Sequence, residues 1–360
     1  MKVLLLGATG AMGRRAATEL IREGGLERLT IAARARGPLE NLGGLLSGSV
    51  DVRVDDFDLL AEDPAAHFSG HDIVISAAGP GYLLEERCVK AAIDARVDYV
   101  SLNDDTIAAE LMSALDQEAR RNEVTVVSGA GMAPGISNLL VALAARRLDE
   151  VQEVEISVGA SSADAGGPAT ELHFLAMLGA GDFADSREAR SPHPVYLPDP
   201  VGWVETFGVD HPEELALRSA YPALQAFRFR VGLVEKAVMD TVRAAAASGL
   251  GSTERRRRFL LTAARPLRPL LHAMSPGSTP WTAIRIDVRG TTGSRTRTVT
   301  YAVVDRLANL ASIPLIRAAS LVRGRGSGVT SIDRLSDAEE LLADIAARGI
   351  RFGELEPHSL

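Results

Sequence analysis

The sequence is poor in several residue types, and each shortage excludes a class of protein. Cys88 is the one cysteine in 360 residues, which excludes a disulfide framework and any zinc site built on cysteine. Its apolar, helix-like surroundings favour a packing role. Acidic residues outnumber basic ones by 47 to 39, and the net charge of −8 argues against a nucleic-acid-binding surface. The composition, 46% hydrophobic and 24% charged, is that of a soluble globular protein.

Long uncharged hydrophobic runs are also missing. The apolar start Met1–Leu6 is too short for a signal peptide and is interrupted at once by glycine. The apolar run Leu307–Val322 contains Arg317. We therefore expect a cytoplasmic protein that does not contact membranes. The basic run Arg255–Arg258 precedes an apolar stretch, and we interpret it as an amphipathic surface helix, with membrane contact as the alternative.

Three catalytic motifs are absent. None of the five tyrosines is followed by lysine four residues later, which excludes the Tyr–Lys mechanism of short-chain reductases. No G-x-S-x-G nucleophile elbow occurs. His67 and His71 have helical spacing, but there is no H-E-x-x-H, so we expect no metal site.

The first 13 residues contain the most informative motif. Residues Lys2–Leu6 have the pattern of a short buried strand. A glycine turn and then a helix-like stretch follow them. Glycine lets the backbone approach phosphates, and a helix N-terminus offers free N–H groups and the positive end of its dipole. The pattern predicts a site for a dinucleotide diphosphate. Its predicted residues are Gly7, Thr9, Gly10, Ala11, Met12 and Gly13.

The end of the second predicted strand selects the cofactor. NAD-dependent enzymes usually carry an acidic residue here, which holds the ribose 2′-hydroxyl. This sequence has Arg34 and Arg36 instead, and a guanidinium suits a 2′-phosphate. We predict NADP(H), with a solvated surface arginine as the alternative for Arg34.

Alternating strand and helix patterns organise the first 135 residues as a Rossmann-type domain with a parallel sheet. Residues 136–304 predict a second, α+β domain for the substrate, in which Ala226–Val231, Thr282–Arg289 and Arg297–Val304 alternate like antiparallel strands. Residues 305–360 predict helices that return to the first domain. The predicted strands of the first domain are Lys2–Leu6, Leu29–Ala33, Val50–Val54, Asp72–Ser76, Tyr99–Leu102 and Val124–Ser128.

Four segments together resemble the saccharopine dehydrogenase-like family. They are Ser76–Pro80, the run from Cys88 to Val100, Gly129–Leu139 and Leu341–Ile350. The resemblance implies a Rossmann domain interrupted by an α+β domain, homodimers formed through that middle domain, and NADP-linked chemistry at a C–N bond. It covers nearly the whole chain and is most specific in the first 140 residues.

The resemblance also implies roles for residues outside the glycine motif. Ala78, Gly79 and Pro80 would lie beside the nicotinamide half of the cofactor. Asp55 and Asp56 would approach the adenine, with a capped strand end as the alternative. Met132, Pro134, Gly135 and Asn138 would face the substrate, although Pro134-Gly135 also suits a plain turn that starts a helix. Many relatives carry Asp-Leu-x-Gly-Glu after the fifth strand, where this chain has Ser101-Leu102-Asn103-Asp104-Asp105, so we expect Asp104 or Asp105 to replace the acid.

A substrate joined from an amino acid and a carbonyl compound carries carboxylates, which arginine binds in bidentate geometry. Arg228 and Arg230 are our candidate substrate residues, and Arg289 and Arg295 are also available. Solvated strand faces are the alternative for each. His173 is the candidate titrating group, with a structural histidine as the alternative.

These observations favour an NADPH-dependent imine or opine reductase. An iminium carbon is already cationic, so it accepts hydride without the strong acid assistance of a Tyr–Lys pair. Two alternatives stay open: an NADP-binding sensor without catalysis, and a reductase of activated C=C bonds in specialised or lipid metabolism.

Overall fold

The computed structural model describes the chain apart from residues 49, 165, 180–190, 248–252, 254, 257–258, 260–261, 263–279, 324–325 and 356–360. The predicted basic helix after Arg255 lies mostly outside the described residues. The chain forms two compact units. Unit 1 contains Met1–Leu139 and Ala308–Arg348, and unit 2 contains Leu140–Leu307 and Gly349–Leu360. No described helix combines the length and the apolar character needed to cross a bilayer.

Unit 1 is built on a parallel sheet of seven strands in the order β13-β6-β5-β4-β1-β2-β3. Val3–Leu6 of the central strand are almost completely buried, because a parallel sheet is covered on both faces and selects continuous apolar runs. The strands are β1 Lys2–Leu6, β2 Arg28–Ala33, β3 Asp51–Asp56, β4 Ile73–Ser76, β5 Asp98–Ser101, β6 Thr125–Val127 and β13 Gly328–Thr330.

Nine helices among the described residues belong wholly or partly to unit 1. Six are the crossovers expected of a βαβ fold: α1 Ala11–Glu23, α2 Arg36–Leu46, α3 Pro64–Phe68, α4 Gly81–Ala95, α5 Thr106–Ala114 and α6 Asp116–Arg121. The others are α7 Ile136–Ala145, α11 Leu307–Leu321 and α12 Ala338–Ala347. Helices α5 and α6 are separated at Leu115, where the backbone leaves helical geometry.

Unit 2 is built on a mixed sheet of seven strands in the order β14-β12-β11-β7-β10-β9-β8. Along the central strand, Val154, Ile156 and Val158 are buried, whereas Glu153 and Glu155 lie on the other face. The strands are β7 Glu150–Ala160, β8 His193–Leu197, β9 Gly202–Val209, β10 Ala226–Leu233, β11 Thr282–Thr292, β12 Arg295–Asp305 and β14 Arg351–Glu354. The described helices here are α8 Pro168–Gly179, α9 Glu213–Ala220 and α10 Lys236–Ala247.

The predicted fold class is confirmed. Unit 1 contains a parallel Rossmann-type sheet, its chain is interrupted in sequence by the α+β unit 2, and the C-terminal helices α11 and α12 belong to unit 1 again. Two details were wrong. We expected β10 to pair antiparallel, but it runs parallel to β7 and antiparallel to β9. We expected only helices after residue 305, but β13 extends the first sheet and β14 pairs with β12 in the second.

Candidate active site

The carboxyl ends of β1 and β4 form the switch point of the unit 1 sheet. From β1 the chain continues to β2 and β3 on one side, and β4 starts the other side. Ligands of open α/β sheets bind in the crevice at this point. Gly7 has φ +70°, and a Cβ placed on it would lie 2.7 Å from the carbonyl oxygen of Ala77 and 2.8 Å from the amide nitrogen of Ala78. The glycine loop therefore packs directly on the loop after β4, at a position where only glycine fits.

The N-terminus of α1 is suited to an anion. Gly10 is the N-cap residue, no side chain caps the helix, and no acidic residue lies in its first turn. The first N–H groups, beginning at Ala11 and Met12, therefore have no side-chain acceptor. The carbonyl of Thr9 accepts a hydrogen bond from Arg14 Nε at 3.0 Å. The predicted diphosphate site thus meets the physical requirements: flexible backbone, free donors and a positive dipole end.

The two arginines after β2 differ in their surroundings. Arg36 Nε donates to Glu40 at 2.8 Å, and its Nη1 donates to Asp56 at 2.9 Å. Hydrogen bonding to Glu40 and the charges of Asp56 and Glu40 raise the pKa of Arg36. Arg34 is exposed and makes no hydrogen bond or ion pair with the described residues. Of the two predicted phosphate ligands, Arg34 is the one whose guanidinium is available.

The acidic end of β3 is already engaged by neighbouring side chains. Asp55 Oδ2 lies 2.9 Å from His67 Nδ1, and His67 stacks on Phe57 with ring centroids 3.8 Å apart. Asp56 holds Arg36. An adenine contact of Asp55 and Asp56 stays a prediction.

His71 has different hydrogen-bond partners from His67. Its Nε2 lies 2.9 Å from Thr30 Oγ1 and its Nδ1 lies 3.2 Å from the carbonyl oxygen of Phe68. Burial lowers the pKa of His71.

Within the described residues, no group of three or more His, Cys, Asp or Glu side chains could hold a metal ion.

The loops after β4 and β5 lie at adjacent strand ends. Gly79 is exposed, Ala78 is half-buried, and the buried Pro80 is the N-cap residue of α4. After β5, the carboxylate of Asp105 accepts from the N–H of Ala108 at 2.9 Å and caps α5. This structural use of Asp105 leaves Asp104, which is half-buried, as the predicted acid of this loop.

The segment Gly131–Asn138 is a tight turn held by its own hydrogen bonds. Asn138 Oδ1 accepts from the N–H of Gly135 at 2.9 Å, and Asn138 is 4% exposed. A Cβ on Gly135 would lie 1.9 Å from the carbonyl oxygen of Gly131. Gly135 and Asn138 therefore build the turn. Met132 and Pro134 are half-buried, and the predicted substrate contacts of all four residues stay predictions.

The sequence analysis missed Glu85. This glutamate lies on α4 and is 1% exposed, and Tyr99 Oη donates to its Oε2 at 3.0 Å. Burial raises the pKa of Glu85 to about 7, because desolvation penalises the charged form. A signal was present, since Glu85 shares helical spacing with Cys88, Val89 and Ala92, all of them buried.

The predicted substrate residues of unit 2 lie on one polar face of its sheet. Arg228 Nη1 donates to Glu153 at 3.2 Å, and Arg230 Nε donates to Glu155 at 3.1 Å. Arg289 also pairs with Glu153, at 3.0 Å. These contacts are a ladder of opposite charges across neighbouring strands. Substrate binding by Arg228 and Arg230 stays a prediction.

His173 lies in α8 of unit 2 and is 8% exposed. It belongs to a different unit from Asp104. Its role as a titrating catalytic group stays a prediction.

Comparison with known proteins identifies the class. Residues 3–127 match the family model of the saccharopine dehydrogenase NADP binding domain. Unit 1 therefore contains an NADP(H)-binding domain of the saccharopine dehydrogenase type, as the resemblance implied, and the chain is an oxidoreductase similar to the saccharopine dehydrogenases.

The fold of the whole chain agrees with three solved dehydrogenases. Apo saccharopine dehydrogenase (L-Glu forming) from Saccharomyces cerevisiae matches with TM-score 0.67 and 15% identity, over 99% of this chain and 100% of that chain. Amine dehydrogenase from Mycobacterium smegmatis matches with TM-score 0.54 and 13% identity, over 92% and 95%. An engineered D-amino acid dehydrogenase bound to NADP+ matches with TM-score 0.51 and 16% identity, over 97% and 99%. At these identities the matches establish a shared fold.

Proposed function

We propose that this protein is an NADPH-dependent reductase of imines derived from amino acids. The observation that carries the proposal is the switch-point crevice of unit 1. There the uncapped N-terminus of α1 follows β1, and Arg34, which has no partner among the described residues, follows the neighbouring strand β2. Three proteins with a similar fold are named as dehydrogenases of saccharopine, an amine and a D-amino acid, which supports a substrate with a C–N bond.

The residues present fit NADPH. The Gly7–Gly13 loop and the first N–H groups of α1 would bind the diphosphate, and Arg34 would bind the 2′-phosphate. The loop Ala78–Pro80 would border the nicotinamide. When bound, NADPH supplies a hydride to the imine carbon, and the nitrogen gains a proton as C=N becomes CH–NH.

The proposed proton donor is Asp104. It lies in the loop after β5, at the strand end next to the proposed nicotinamide position. A carboxyl group here can hold the proton that the imine nitrogen receives. No tyrosine is required, because the iminium form is already activated for hydride addition.

Cofactor preference is tested with Arg34→Ala. Loss of a charge-assisted contact to the 2′-phosphate should weaken NADPH binding by about ten- to a hundredfold, while NADH, which lacks that phosphate, changes by less than about twofold. Fluorescence titration with both nucleotides measures this. Arg22→Ala is the matched control, since it removes the same charge at the opposite end of α1. Equal losses for NADPH and NADH in Arg34→Ala would refute the NADP assignment.

The reaction class is tested by NADPH oxidation in the presence of paired amino acids or amines and 2-oxo acids. Imine reduction should consume NADPH only when both partners are present, and mass spectrometry should show the coupled secondary amine. Tight NADPH binding with no turnover for any pair would favour a sensor. Turnover with α,β-unsaturated substrates alone would favour the C=C reductase.

A further inference from the structure

Glu85 is the centre of a buried polar cluster in unit 1. Its carboxyl accepts from Tyr99 Oη at 3.0 Å, and Ser101 is a second polar group that lowers its pKa. Tyr99 and Ser101 are completely buried on β5. No basic side chain within the described residues forms an ion pair with Glu85. A buried carboxyl without a cation is costly in its charged form, so this cluster is arranged around a neutral acid.

The cluster lies directly against the loop after β5. A Cβ on Gly81, at the start of α4, would lie 2.5 Å from Asn103 Oδ1, 3.3 Å from Asp105 Cβ and 3.6 Å from Glu85 Cγ. The first turn of α4, the loop and Glu85 therefore meet at one tightly packed point.

Hydrogen bonds also hold that loop to the end of β5. The N–H of Asn103 donates to Ser101 Oγ at 3.4 Å, and Ser101 is also one of the groups that lower the pKa of Glu85. The Asn103 amide group donates to the carbonyl oxygen of Asp105 at 3.2 Å and to Ser128 Oγ at 3.3 Å. Asn103 thereby ties the loop to the end of β6, and the loop carries Asp104, the proposed proton donor.

We propose that Glu85 is a positioning residue whose protonation state sets the geometry of the loop Leu102–Asp105 and, through it, the binding of the nicotinamide half of NADPH. This inference rests on the proposed function. When Glu85 ionises, a buried negative charge arises beside the carboxyl groups of Asp104 and Asp105, and no described basic side chain pairs with it.

The groups around Glu85 place its ionisation near neutral pH. Burial raises the pKa of Glu85, hydrogen bonding to Tyr99 and Ser101 lowers it, and the charges of Asp104 and Asp105 raise it, so that the resulting pKa is about 7. The other ionisable group in contact is the thiol of Cys88 on the same helix, whose pKa burial raises above the range of interest.

The test is the pH dependence of NADPH affinity, measured by fluorescence titration between about pH 6 and pH 8.5. In the wild type, affinity should fall by about fivefold through the titration of Glu85. Glu85→Gln keeps the shape and cannot ionise, so this fall should disappear. The 2′-phosphate itself titrates near pH 6, but it does so equally in both proteins and cancels in their comparison.

Two further variants sharpen the result. Tyr99→Phe removes a hydrogen bond that lowers the pKa of Glu85, so the inflection should move to higher pH. It also keeps the inference testable if Glu85→Gln does not fold. Glu86→Gln is the matched control, because Glu86 is exposed and pairs with Lys90 on the surface of the same helix. Its profile should match the wild type.

An inflection that survives in Glu85→Gln, or that stays in place in Tyr99→Phe, would overturn this inference while leaving the proposed function intact. A wild type that binds neither NADPH nor NADH would overturn both.

Discussion

Gly13 allows α1 to approach the end of β1. A Cβ on this residue would lie 2.1 Å from the carbonyl oxygen of Gly7 and 2.7 Å from the Cα of Ala8. Both are backbone atoms, which cannot move aside as a flexible side chain can. The third glycine of the motif is therefore fixed by helix–strand packing, whereas the first, Gly7, is fixed by its positive φ and by the loop after β4.

Gly13→Ala should accordingly destabilise unit 1. We expect a loss of about 3 kcal/mol in the free energy of unfolding, the upper range for overpacking against fixed atoms. Gly44→Ala is the control, because Gly44 lies in α2 and a methyl group on it would meet nothing within 4 Å. That variant should be neutral or up to about 1 kcal/mol more stable. Urea unfolding followed by circular dichroism measures both, and equal stabilities would contradict the packing argument.

Glu85 gives the stability of the protein a specific pH dependence. Its pKa is about 7 in the folded protein and near 4.5 in the unfolded chain. The folded state therefore holds its proton more tightly, and the associated stability is fully present below about pH 4.5 and lost as the pH rises to about 7. A difference of this size corresponds to about 3 kcal/mol.

Glu85→Gln should remove this dependence. The difference in unfolding free energy between Glu85→Gln and the wild type should shift by about 3 kcal/mol in favour of the variant between about pH 4.5 and pH 8. Urea titrations at several pH values provide the measurement. A constant difference across this range would show that Glu85 ionises normally in the folded protein.

The helices of unit 1 that are distant in sequence are joined by buried charges. Glu19 of α1 is completely buried; its carboxylate lies 2.8 Å from Arg15 Nη1 and 2.9 Å from Arg348 Nε. Glu23, one turn further on, pairs with Arg317 of α11 and also with Arg348. The C-terminal helices are thus held to α1 by ion pairs as well as by their apolar faces.

Glu19→Ala should destabilise the protein by about 3 kcal/mol, since it removes the buried member of the network and leaves two guanidinium groups without that partner. Glu86→Ala breaks an exposed i,i+4 pair with Lys90 and should cost less than about 0.5 kcal/mol. Thermal unfolding at low and at high salt compares them. If the two variants lose the same free energy of unfolding, the buried network does not stabilise the protein more than the exposed ion pair does.

At the scale of the whole molecule, each unit is made of two chain segments. In unit 1 the segment Ala308–Arg348 supplies the edge strand β13, and Ser312 Oγ donates to the carbonyl oxygen of Met12 at 2.8 Å. The diphosphate loop is therefore supported by residues 300 positions away in sequence.

Residues 1–139 alone should consequently fail to fold cooperatively, whereas the same residues joined to 308–348 by a flexible linker should form a compact unit with cooperative unfolding. That two-segment chain should also bind NADPH, because every proposed cofactor residue lies in unit 1. Circular dichroism and fluorescence titration are the measurements. Cooperative folding and full affinity in residues 1–139 alone would contradict the support by α11 and β13.

Local segments of the sequence were the most informative. A buried strand that ends before Gly7 and is followed by a helix has few alternative structures, and Arg34 follows the next strand, so the Rossmann fold and the cofactor NADP(H) were predictable. Only tertiary structure distinguished Arg34 from Arg36, because the partner Asp56 comes from another strand.

Long-range packing decided the remainder. The sequence could not show that β13 and β14 join different sheets or that β10 runs parallel to β7, since pairing depends on which distant backbone edges meet. It contained the helical spacing of Glu85 with buried residues but not the pKa of this glutamate, which depends on the burial that packing imposes. Local backbone and charge patterns were therefore encoded in single segments, whereas solvation and partner choice arose only when the segments packed together.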